Sequence, residues 1–185
     1  MLKGGRAHIK VTKVLWKFPP SGWLICNTDR ASRGNSGRST HGFCLRNSEG
    51  DLVHAQVEDI GITTNTEVEV IAFLEAMKFC RGKGLKNIII QTDSEMVPKI
   101  LSRDWKTPWS IAIWVDEIMD ISKNMSVTFS HILREGNKLA HALGNQALDK
   151  GSFQCQSFQD LEVDNRNILN SDKAQIPYLR IRTTN

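Results

Sequence analysis

The spacing of apolar positions changes several times along the chain, and each change marks an element. Residues 23–28 open with the apolar run Trp23-Leu24-Ile25-Cys26, residues 41–46 read HGFCLR, and residues 52–57 alternate as LVHAQV. Three short β-type segments joined this closely predict an antiparallel meander. From residue 67 to 81 the period lengthens. Val68, Ile71, Ala72, Leu74, Ala76, Met77, Phe79 and Cys80 recur at helical spacing, which predicts an amphipathic helix of about four turns. Thr-Asn-Thr before it supplies capping side chains, and Gly82 and Gly84 close it. Residues 85–92, LKNIIIQT, form a β-branched run and read as a buried strand. A short helix carrying Pro98 is expected over 94–101, and a longer one within 105–124 after a Trp-rich turn. A fifth strand is expected over 125–132. A final helix over 136–148 places Leu139, Ala140, Ala142, Leu143 and Leu148 at apolar positions. This order predicts an α/β fold: a five-stranded mixed sheet, three antiparallel strands and then parallel ones, flanked by helices.

The flanks differ from this core. Residues 1–20 lead into Phe18-Pro19-Pro20-Ser21-Gly22, a stiff extended entry, so the expected domain is 21–149. Residues 150–185 are rich in Asn, Gln, Asp and Ser and have no sustained period, which predicts a flexible tail.

Composition narrows the class. With 185 residues, 40% hydrophobic and 24% charged, the chain is long enough for one well-packed core. No apolar run reaches the ~20 residues of a membrane helix, and MLKGGRAHIK lacks the apolar stretch of a secretory signal. Membranes are therefore not expected as partners. Cys26, Cys44, Cys80 and Cys155 are widely spaced and read as reduced core residues, so the expected setting is intracellular, nucleus or cytoplasm left open. The net charge of +4 is unevenly placed: Lys3, Arg6, Lys10, Lys13 and Lys17 put +5 into the first 20 residues and leave −1 on the rest. Such an arm suits phosphates, or is a solvated tail. Trp105, Trp109 and Trp114 read first as core packing, with a docking face as the alternative.

Candidate chemistry lies in three acids. Asp29 follows the first expected strand in WLICNTDRASRGNSG, Asp93 follows the fourth in IIIQTDS, and Glu69 sits between Val68 and Val70 in the first helix. Singly, each reads as a cap or a solvated acid. Together they fit a mixed sheet whose first and fourth strands are neighbours. An acid between apolar neighbours needs a partner, and converging carboxylates need a cation among them. Hard oxygen donors with room for water and phosphate suit Mg²⁺, and paired metals are a general solution for phosphodiester cleavage.

NTDRASRGNSG, TTNTEVEVIAFLEAM, IIIQTDSEMV and FSHILREGNKLAHAL occur in this order and spacing. They resemble the ribonuclease H fold, in particular the reverse-transcriptase-like ribonuclease H domains of plants, free or within retroelement polyproteins. The lead-in VLWKFPPSGWLICNTD is similar too, and the likeness spans residues 14–148. It implies a ribonuclease H-like fold and an endonuclease that cuts the RNA strand of RNA–DNA hybrids with two Mg²⁺ ions, Mn²⁺ being possible in their place. It implies metal ligation by Asp29, Glu69 and Asp93, with residue 141 as the fourth ligand. It further implies hybrid contact by Arg33, Gly34, Asn35, Ser36 and Asn65, recognition through the 2′-hydroxyls, and a water-activating or product-releasing role for His131. A monomer is the expected state.

This chain departs from the family pattern at four places. The fourth acid is replaced by His141, Arg30 stands where Gly is usual, Ser36 where Pro is usual, and Thr66 where Asn is common. Imidazole is a softer, uncharged ligand, so the second metal should bind more weakly, and Mn²⁺ should gain over Mg²⁺. Beside the enzyme, a binding module of the same fold with weakened catalysis therefore remains open, as does a non-catalytic interaction domain.

Overall fold

A computed structural model describes residues 8–33, 37–62 and 65–184. Strand β1 (His8–Val14) precedes three long strands, β2 (Leu24–Ser32), β3 (Arg38–Arg46) and β4 (Leu52–Ile62). Helix α1 (Asn65–Gly82) leads to β5 (Asn87–Thr92), α2 (Met96–Leu101), α3 (Ala112–Ser122), β6 (Ser126–His131) and α4 (Lys138–Lys150). The chain then adds β7 (Phe153–Cys155), α5 (Val163–Lys173) and β8 (Tyr178–Thr184). Pro98 is tolerated because it falls in the first turn of α2, where amides have no intrahelical acceptor.

The main sheet runs β6-β5-β2-β3-β4-β7, and β1 and β8 form a separate two-stranded sheet. Strands β2, β3, β4 and β7 pair antiparallel, whereas β2–β5 and β5–β6 are parallel. Alternation along the strands gives the sheet two apolar faces. Cys26, Phe43, Leu45, Ile88 and Ile90 pack on one side beneath Phe73 and Met77 of α1 and Ile118 of α3. Cys44, Ala55 and Val57 pack on the other beneath Leu139, Leu143 and Ala147 of α4. All four cysteines are buried and free.

Five expectations change. The sheet has six strands, not five, because β7 pairs with β4 through Ala55↔Cys155 and Val57↔Phe153. The first core strand does not stop at 28: β2 runs on to Ser32, held by ladder pairing down to Ser32↔Ser39, since a paired neighbour overrides the weak β-propensity of Asn and Asp. Residues 153–184 are not a flexible tail. Their apolar positions have no period because each buries singly, Cys155, Leu161 and Leu169 beneath α4 and Asp172 at 2% exposure. From His8 onward the arm is likewise anchored: β1 pairs with β8 along its whole length, and Trp16 is 2% exposed, whereas Lys3 and Arg6 lie outside the described residues. Of the three tryptophans, Trp114 packs against the core, but Trp109 is 91% exposed and Trp105 half exposed, so core packing describes only the first. Among the described residues, no helix is long and apolar enough to cross a membrane.

Candidate active site

Strand alternation dictates what surrounds the first acid. Cys26 lies on the α1 face of β2, so Arg30, four residues on, points to that face and Asp29 to the opposite one. Each meets a different helix. Asp29 Oδ2 lies 2.8 Å from Nδ1 of His141 on α4. Arg30 Nε donates to Glu69 Oε1 on α1 at 2.8 Å. Glu69 Oε2 accepts a longer bond, 3.4 Å, from Thr92 Oγ1 at the end of β5. Asp93 follows immediately. These elements end around one open cleft of about 320 Å³, lined by Asp29, Arg30, Glu69, Asp93, Arg134 and His141 among others.

The partners of His141 fix its tautomer. Its Nε2 lies 3.0 Å from Arg134 Nη2 and 3.1 Å from Asn145 Nδ2, and both of those groups can only donate. Nε2 is therefore the acceptor, and the Nδ1–H is given to Asp29. Both ring nitrogens are thus engaged by protein groups.

Burial dominates the acids. Asp29 is 4% and Glu69 7% exposed. Desolvation raises Asp29 from its ordinary value, reinforced by the charge of Asp93, although the His141 hydrogen bond pulls the other way. Desolvation pushes Glu69 up to about 7, outweighing the ion pair with Arg30, and the charges of Asp29 and Asp93 add to it. Burial disfavours the ionised form of both acids, and a counter-charge, which a divalent cation supplies, offsets it. In kind, three oxygen donors around a polar cleft fit such an ion. Their present arrangement is looser: among the described residues no three His, Cys, Asp or Glu side chains are gathered closely enough to chelate one.

A pH effect follows for the metal-free protein. Between about 4.5 and 7, native Glu69 keeps a proton that the unfolded chain has released, so stability falls as pH rises through that window. The expected loss is on the order of 2–3 kcal/mol, measured by urea melts in chelator. Glu69→Gln should flatten the slope, and an unchanged slope would refute the assignment.

The other expected site residues fall as follows. His131 ends β6 outside the cleft lining, with Nε2 3.2 Å from the Asp93 carbonyl oxygen. It lines an adjoining groove with Lys13, Lys17, Gln91 and Ser130. Arg33 is exposed and paired with Asp149. Gly34, Asn35 and Ser36 lie outside the described residues, as does the side chain of Asn65, the first residue of α1. Arg134 and Asn145 went unnoticed in the sequence. Asn145 had a signal, being one helical turn after His141, whereas nothing local marks Arg134.

A five-strand core of three antiparallel and two parallel strands, with acids at the junction, is the ribonuclease H architecture. A model of reverse transcriptase-like proteins matches residues 27–147, and the chain belongs to that family. The ribonuclease H1 structure from the archaeon Halobacterium salinarum superposes with a TM-score of 0.65 at 29% identity, covering 70% of this chain and all of that one. LC11-RNase H1, solved in complex with an RNA/DNA hybrid, gives 0.63 at 27% identity, covering 69% of this chain and 97% of that one. In sequence, ribonuclease HI of Halobacterium salinarum is 32% identical over 125 residues, 65% of this chain and 62% of that protein. A longer Arabidopsis thaliana protein, provisionally named a ribonuclease H, is 29% identical over 133 residues, 71% of this chain. The chain spans 62% and 22% of the lengths of these two relatives.

Proposed function

We propose that the protein is a metal-dependent endonuclease that cleaves the RNA strand of RNA–DNA hybrids, leaving 3′-hydroxyl and 5′-phosphate ends. The observation that carries this reading is the convergence of buried Asp29 and Glu69 with Asp93 on one polar cleft, in a chain of this family. The solved complex of LC11-RNase H1 with a hybrid supports the substrate class. Asp29, Glu69 and Asp93 would hold the cation, Mg²⁺ or Mn²⁺, with His141 beside them. A bound divalent ion supplies polarisation of the scissile phosphate and a more acidic attacking water. The chain's own groups do the rest. His141 holds Asp29 in place through Nδ1–H. Arg134, on the cleft wall, meets phosphate oxygens with a forked guanidinium. His131, beside the cleft at the end of β6, would exchange a proton with water or product.

A second reading is specifically favoured by His141 and by the Arg30–Glu69 pair: a module of the same fold that binds hybrids but turns them over weakly. One experiment separates the two. A labelled RNA–DNA hybrid, an RNA duplex and a DNA duplex of the same sequence are incubated with the protein in Mg²⁺ or Mn²⁺. Cleavage of the hybrid alone is expected. Binding without cleavage in either metal would establish the second reading, and neither binding nor cleavage would exclude both.

A further inference from the structure

We infer that Arg30 occupies the place of one divalent cation, so that the cleft takes a single divalent ion where two would otherwise be expected. The inference rests on the metal-dependent reading above and adds to it a residue and a stoichiometry. Its basis is the pairing of Arg30 with Glu69. Arg30 Nε lies 2.8 Å from Glu69 Oε1, and the two side chains are 29% and 9% exposed. Glu69 Oε2 is turned to Thr92 Oγ1. Each oxygen of the acid thus already has a protein partner, the nearer one cationic. The pair is built by the strand: position 30 lies on the α1 face of β2, and its guanidinium reaches Glu69 from there.

Charge gives the same answer. Counted as formal charges, the cleft lining carries Asp29, Glu69 and Asp93 against Arg30 and Arg134, a balance of −1 from these five side chains. One divalent ion brings that balance to +1, and a second would bring it to +3 at close range in a partly desolvated site, which is strongly unfavourable. The tautomer of His141 adds to this. Its Nδ1 proton faces Asp29 and its Nε2 lone pair is covered by Arg134 and Asn145, so the imidazole offers no free donor to a second ion. Arg30 and His141 act together. The first supplies fixed positive charge at Glu69, and the second supplies a hydrogen bond, not a ligand, at Asp29.

The test is calorimetric titration of Mn²⁺, and separately of Mg²⁺, into the whole chain, with no substrate and no turnover. One binding event per chain is expected for wild type. Arg30→Ala should add a second event or tighten the first about tenfold, and Arg30→Lys, which keeps the charge, should stay at one. Arg30 is partly exposed and the variants are checked by thermal melting. If Arg30→Ala disturbs folding, Arg30→Gln keeps the length without the charge and should again gain metal. Two comparable events in wild type, or identical titrations for wild type and both neutral variants, would overturn the role of Arg30 while leaving metal dependence intact. Absence of heat from wild type and variants alike would overturn the metal-dependent reading itself, and the inference with it.

Discussion

Asp172→Ala should destabilise the protein by about 3–5 kcal/mol, seen as a lower urea midpoint at unchanged slope. The reason lies in Arg46, which is 1% exposed at the end of β3. Its Nη1 donates to Asp172 Oδ2 at 2.6 Å and its Nη2 to Asn27 Oδ1 at 3.0 Å. Its guanidinium lies 3.6 Å from the centre of the Trp16 ring, a cation–π contact in a desolvated setting. Trp16 Nε1 donates to the same Asn27 oxygen, and Tyr178 donates its hydroxyl proton to Asp172 Oδ1. Removing Asp172 strips the counter-charge from a buried guanidinium and a partner from a phenol together. The contrast is the neighbouring Lys173–Asp51 pair, whose members are 36% and 54% exposed. Solvent screens it, and Lys173→Ala should cost under about 1 kcal/mol. Equal losses in the two variants would show that Arg46 finds water or another partner when Asp172 is gone. The pair lies away from the cleft, so the fraction of Asp172→Ala that remains folded should retain its cleft chemistry.

This network explains why the ends of the chain were hard to read. Trp16, Asn27, Arg46, Asp172 and Tyr178 come from five separate segments, and each is locally unremarkable. A tryptophan in a basic lead-in, an arginine closing a strand and an aspartate in a polar tail acquire meaning only when folding brings them together. Periodicity reports one face of a regular element, and residues 153–184 bury their few large side chains one at a time. The core helices and strands were legible because α1, α4 and the strands between them bury whole faces. In the site, Asp29, Glu69 and Asp93 were legible from motif order, and the parallel pairing of β2 with β5 follows from the order of elements. The opposed directions of Asp29 and Arg30 follow from alternation alone, yet they gain force only with the knowledge that α1 covers one face and α4 the other. Arg134 could not be found from sequence, because its contact with His141 depends on how the segment after β6 turns back over α4.

Asp29→Asn should lower hybrid cleavage on the order of 10³-fold, the scale of removing one well-placed electrostatic group from a transition state, while leaving the metal-free fold as stable as wild type or more so. These opposite signs follow from one set of facts. Asp29 is buried, and desolvation raises its pKa, so its charge is a cost to the empty fold. Asparagine has nearly the same shape, and its Oδ1 can still accept the Nδ1–H of His141 that now meets Oδ2. What it loses is the negative oxygen that a hard cation selects. Activity by hybrid hydrolysis and stability by urea denaturation should therefore diverge. A variant that lost both would make Asp29 a structural acid whose pairing with His141 is its main task. A variant that cleaved at the wild-type rate would remove Asp29 from the chemistry. Only the divergent result identifies a carboxylate kept buried at the expense of stability because the reaction needs its charge.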